Sequence, residues 1–83
     1  MREKIGLTGM VLKAAASGEY DRRLVILTRE RGKITAFARG AKKPGNSLMA
    51  ISRPLVFGKF QFYEGRDAYS LVSGEVKNYF TEI

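Results

Sequence analysis

Between Lys33 and Arg39 the chain alternates: Ile34, Ala36 and Ala38 fall on one side, and Lys33, Thr35, Phe37 and Arg39 on the other. Successive strand side chains point to opposite faces, so this spacing predicts a strand with small apolar residues inward and an aromatic flanked by cations outward. Upstream, Leu24-Val25-Ile26-Leu27 is a continuous apolar run that predicts a strand over Asp21 to Thr28, buried on both faces. Thr28 to Lys33 reads as the tight polar connection between the two, with Gly32 near its end. A shorter β-prone segment, Thr8 to Lys13, precedes them, with Gly6 and Gly9 marking bends or close approach, and Ala14 to Gly18 breaks its pattern.

Past Arg39 the pattern changes. Arg39 to Asn46 is a loop carrying glycine, lysine and proline, and Ser47 to Ile51 predicts one or two helical turns capped by Asn46 or Ser47. Pro54 opens a fourth strand, where its missing N–H costs least, and Val56, Gly58, Phe60 and Phe62 share one of its faces as it runs through Tyr63. Gly58 is expected at a bulge or sharp coil. Glu64 to Asp67 makes a hairpin turn, and Ala68 to Val76 returns as a fifth strand with Tyr69, Leu71 and Val72. Asn78 to Ile83 fit neither pattern. Five strands with a helix between the third and fourth is the order of an OB-fold, an all-β, partly open Greek-key barrel that binds oligonucleotides on its second and third strands. An SH3-like barrel has a similar strand count and stays open as the competing architecture.

Length and composition narrow the function. Eighty-three residues suffice for one small domain, spanning 1–83, with a single modest core. The chain has no cysteine and no histidine, which removes thiolate nucleophiles, disulfides, cysteine-built zinc sites and the commonest general base. No cofactor or metal is expected. Its longest apolar runs, Leu24 to Leu27 and Leu48 to Ile51, fall far short of the roughly 20 residues that span a bilayer. The expectation is a soluble, cytoplasmic protein with no membrane contact.

Charge then picks out one quarter of the chain. Positions 22 to 43 hold eight basic residues, Arg22, Arg23, Arg29, Arg31, Lys33, Arg39, Lys42 and Lys43, against Glu30 alone, and the remainder holds seven of each sign. The whole net charge of +7 therefore sits on the second and third strands and their loops. Such crowding is costly for a compact fold unless a polyanion relieves it. The bland alternative is a solvated basic surface, but a cluster on two adjoining strands favours nucleic acid, because lysine and arginine supply sequence-independent affinity through phosphates. Arg39, Lys42, Lys43 and Lys33 rank first, with Arg29 and Arg31 in the turn behind them. Arg22 and Arg23, beside Glu19 and Asp21, are discounted as locally neutralised. Phe37 either offers a base a stacking surface or plugs the barrel end. Phe57, Phe60, Phe62 and Tyr63 are read as core or hairpin packing, and Tyr20 and Tyr69 are left unplaced.

Catalysis finds little support. Glu19 with Asp21 and Glu64 with Asp67 are the close carboxylate pairs, and acids beside arginines read as charge balance. Gly32-Lys33 fails as a phosphate loop: Ile34 replaces the needed hydroxyl and Leu27 the first glycine. No catalytic residue is assigned. An alternative of a different class is a protein-interaction module whose basic face receives an acidic partner.

Two strings, GEYDRRLVILTRERGKITAFARGAKKP from Gly18 to Pro44 and FGKFQFYEGRDAYSLVSGEV from Phe57 to Val76, closely resemble the N-terminal domain of RecO, the bacterial recombinational repair mediator. The resemblance covers about Ile5 to Phe80, most specifically in the LTRERGK turn, the AFARGA strand end and the FYEG hairpin. It implies an OB-fold, binding to single- and double-stranded DNA, strand annealing, help in loading recombinase, and partnership with RecR. Arg39 falls on a family position associated with DNA contact; the companion basic position, two past Lys33, is Thr35 here. Family members continue into a helical domain and often carry a cysteine zinc site. The chain is accordingly read as the excised N-terminal part of a longer protein. Contact with single-stranded DNA-binding protein is assigned to the missing parts, and Phe80 and Ile83 are expected to meet surfaces absent here.

Overall fold

The structure, a computed structural model, describes residues 3–79. Five strands, β1 (Lys4–Ser17), β2 (Asp21–Thr28), β3 (Gly32–Ala38), β4 (Val56–Glu64) and β5 (Tyr69–Tyr79), close into a ring, with α1 (Leu48–Ile51) between β3 and β4. The order around the ring is β1-β2-β3-β5-β4. It is an all-β barrel of OB-fold type.

The length of β1 makes closure work. Its N-terminal half pairs antiparallel with β4, from Lys4 opposite Tyr63 to Met10 opposite Phe57, and its C-terminal half with β2, from Gly9 opposite Thr28 to Ser17 opposite Asp21. One strand can serve two neighbours only by coiling sharply, and the crossing lies at Gly9, which faces Thr28 on one side and Gly58 on the other. A Cβ on Gly9 would stand 2.5 Å from the Leu27 carbonyl oxygen, and one on Gly58 would run into that of Glu75. A register shift between Val11 and Lys13 puts an extra residue in β1, and the shifts opposite Phe57/Gly58 and Gln61/Phe62 put extra residues in β5, which adds the bends. The ring shuts where β3 meets β5 in parallel, Ala36 opposite Tyr69 and Phe37 opposite Ser70.

Inward positions form one core. Leu7 and Val11, Leu24 and Ile26, Ile34, Ala36 and Ala38, and Phe60 and Phe62 meet in the barrel, and Leu48 and Ile51 of α1 are buried with them. Phe60 and Ile51 both crowd the space above Gly74, which leaves β5 room to pass beneath the helix. Asn46 Oδ1 accepts the Leu48 N–H at 2.7 Å, whereas Ser47 at the N-cap position makes no side-chain cap.

Several details differ from the sequence expectations. Ala14 to Ser17 continue β1 instead of breaking it, because pairing with Asp21 to Leu24 satisfies their backbone whatever their weak strand preference. β2 is buried on one face only: Leu24 and Ile26 are fully buried while Leu27 is 49% exposed, since in a small barrel one strand face looks inward and the other out. Pro54 sits in the turn before β4, whose first residue is Val56. β5 runs on to Tyr79; Phe80 and Ile83 lie outside the described residues.

Candidate nucleic-acid interface

The outer surface of β2 and β3 is set by their register. Arg23 lies opposite Phe37, Val25 opposite Thr35, and Leu27 opposite Lys33. Because β1 flanks β2 with Lys13 opposite Val25 and Ala15 opposite Arg23, Lys13 joins the same face. Lys33 and Phe37 thus occupy opposite ends of β3, with Arg39 one step beyond its end; at about 3.3 Å per residue, Lys33 and Arg39 are roughly 20 Å apart. Phe37 is half-buried on this outer side, whereas Leu48 and Ile51 of α1 are buried in the core.

Arg39 is exposed and borders an open cleft of about 330 Å³ with Tyr63, Ser70, Leu71 and Val72, at the junction of β3 with β5. Beyond it the loop folds back on the β1–β2 turn. Asp21 Oδ1 accepts the Gly40 N–H at 2.7 Å, the Lys42 N–H donates to the Tyr20 carbonyl at 2.8 Å, and the Lys43 ammonium lies 5.2 Å from the Tyr20 ring centre. Gly40, at φ 72°, permits the reversal. Lys42 and Lys43 are exposed but held by their backbone, so the loop presents its charges from a defined position.

The β2–β3 turn divides its two arginines. Thr28 Oγ1 accepts the Arg31 N–H at 3.0 Å and donates to the Gly32 carbonyl at 2.7 Å, while Glu30 Oε1 accepts the Thr8 N–H at 2.8 Å. Arg29 consequently stands beside the outer face of β1, edging a groove of about 610 Å³ with Met10, Leu27 and Phe57. Arg31 turns the other way. Its guanidinium donates to the Tyr69 hydroxyl at 2.8 Å and to Glu64 Oε2 at 2.9 Å, and these two partners, the hydroxyl foremost, push its pKa further above the ordinary arginine value. Arg31 keeps its charge but shares it with a carboxylate.

Two residues need a different reading from the one their neighbours in sequence suggest. Arg22 points to the α1 end, donating to the Ser52 carbonyl at 3.1 Å and Ser52 Oγ at 3.2 Å, and among the described residues neither Glu19 nor Asp21 forms an ion pair with it or with Arg23. Lys13 shares its parity with buried Leu7 and Val11, so alternation alone would turn it inward; the register shift between Val11 and Lys13 brings it onto the outer face.

The family model described as Recombination protein O N terminal matches residues 1–80. The chain belongs to this family. Similar relatives, each named DNA repair protein RecO, occur in Heliobacterium modesticaldum, 41% identical over 80% of this chain and 24% of the relative, and in Clostridium perfringens, 38% identical over 87% and 29%. That of Bacillus subtilis is 41% identical over 82% of this chain and 27% of the relative. The chain thus spans about a quarter of the length of these curated relatives. On this RecO N-terminal fold the LTRERGK string is the β2–β3 turn, AFARGA ends β3 and enters the loop, and FYEG enters the β4–β5 hairpin. Among the described residues no helix is long and apolar enough to cross a membrane.

Proposed function

We propose that this domain binds single- and double-stranded DNA without regard to sequence, and contributes that binding to recombinational repair. The observation that carries the reading is the β2–β3 face: Arg23, Lys33 and Arg39 with Lys13 beside them and Lys42 and Lys43 on the adjoining loop, none of them ion-paired among the described residues. Lysine and arginine so spread would hold successive phosphates, and half-buried Phe37, between Arg23 and Ser70, would receive a base. Arg29 extends the basic edge over the groove, and Arg31 contributes less because Glu64 offsets it. Family membership supports the wider role: annealing of complementary strands, recombinase loading, and partnership with RecR and, through parts outside this domain, with single-stranded DNA-binding protein.

Replacing Arg39, Lys42 and Lys43 together by alanine is expected to weaken every oligonucleotide alike, by tenfold or more at low salt, as loss of phosphate contacts does. A variant that loses affinity for one sequence only, or for none, overturns the proposal. Capture of RecR tests the alternative that the basic face docks an acidic protein segment: undiminished capture by the triple variant places that contact elsewhere on the domain.

A further inference from the structure

A second cationic site lies at the α1 end of the barrel, away from the β2–β3 face. There Arg22, Lys42 and Arg53 converge on an open cleft of about 310 Å³ walled by Ala14 to Ala16 and by Pro54. Arg22 is half-buried and built in: one of its terminal nitrogens donates to both the carbonyl and the hydroxyl of Ser52. Ser52 is itself fully buried and its hydroxyl donates to the Met49 carbonyl at 3.4 Å. That anchorage leaves the other guanidinium donors for a ligand and spends none of the charge, since both Ser52 acceptors are neutral. Lys42 is fixed through its backbone bond to Tyr20, and the Leu55 N–H donates to the Val11 carbonyl at 2.7 Å, which ties the segment after Arg53 to β1. The alanines matter as well. Ala16 pairs with Arg22 and Ala14 with Leu24, and such short side chains let an anion come close to the cations.

Three cations from three separate segments, with no carboxylate lining the cleft, make a site for a compact multivalent anion, and a tetrahedral phosphate suits an arginine fork with two flanking charges. We infer that this cleft holds a backbone phosphodiester of the same DNA strand that crosses the β2–β3 face. The inference rests on the DNA-binding reading of that face. Lys42 is common to both, so the strand would pass from Arg39 over the loop and into the cleft.

The test uses Arg53→Glu, an exposed position outside the buried core, against a labelled oligothymidine of about 16 nucleotides, the upper end of site sizes for one such domain. The expected result is about tenfold weaker binding and a log–log salt slope shallower by about 0.7 or more, the share of one phosphate contact on a single strand. The NMR signals of the Arg22 guanidinium should also move when the wild-type domain is titrated with the oligomer. Undiminished affinity and slope in Arg53→Glu, with Arg22 unmoved, overturn the cleft and leave the face standing. Wild-type protein that binds no oligomer overturns the face, and the cleft assignment with it. Arg22 signals that respond to inorganic phosphate but not to the oligomer overturn the assignment to nucleic acid.

Discussion

At the scale of single residues, the barrel depends on two glycines that face each other across β1 and β4. Any Cβ on Gly58 collides with the Glu75 carbonyl, and because that atom is backbone, the strand pair itself must move. Gly58→Ala is expected to cost about 2 kcal/mol, as overpacking does, and to lower the melting temperature by roughly 10 °C for a domain of this size. Calorimetry of the variant measures it. The aromatics divide by face. Phe60→Ala should remove about 3 to 5 kcal/mol of stability, because Phe60 is fully buried. Phe37→Ala should cost clearly less stability yet weaken single-strand binding by about 1 to 3 kcal/mol; paired denaturation and binding curves separate the two. The Phe60 and Phe62 positions were legible from alternation alone. Lys13 was not, because membership of the face came from a register between β1 and β2 that no local pattern encodes.

At the scale of elements, strands whose polar and apolar residues alternate could be read nearly to the residue: β3 was expected from Lys33 to Arg39 and observed as Gly32–Ala38. β1 could not, since Ala14 to Ala16 carry no strand preference and were recruited by their partner β2. Burial of β2 on both faces was misread for a related reason, an apolar run being equally consistent with one face turned to the surface, as at Leu27. The β2–β3 turn and the β4–β5 hairpin are joined by Arg31, Glu64 and Tyr69. The Arg31–Glu64 pair is solvent-exposed, so Glu64→Gln should change stability by less than about 1 kcal/mol. The same substitution removes an acid beside the basic edge and leaves the Arg31 charge unshared with a carboxylate, with its bond to the Tyr69 hydroxyl still in place. DNA affinity is expected to rise severalfold at low salt, measured by fluorescence anisotropy.

At the scale of the molecule, the net charge of +7 is distributed over the β2–β3 face, the folded-back loop and the cleft at the α1 end rather than over the whole barrel. Its concentration between Arg22 and Lys43 was visible in the sequence, but its division was not: Arg29 and Arg31 leave one turn in different directions, and Arg22 goes to the barrel end. If these charges hold DNA as proposed, salt should be the strongest control on binding, since each phosphate neutralised releases counterions. The most direct measurement is therefore the affinity of the domain for single-stranded oligonucleotides of unrelated sequence across a range of salt concentrations. With about four to six phosphate contacts, the log–log slope should lie near −3 to −4 and be the same for every sequence. A slope near zero, or tight binding confined to one sequence, would contradict it.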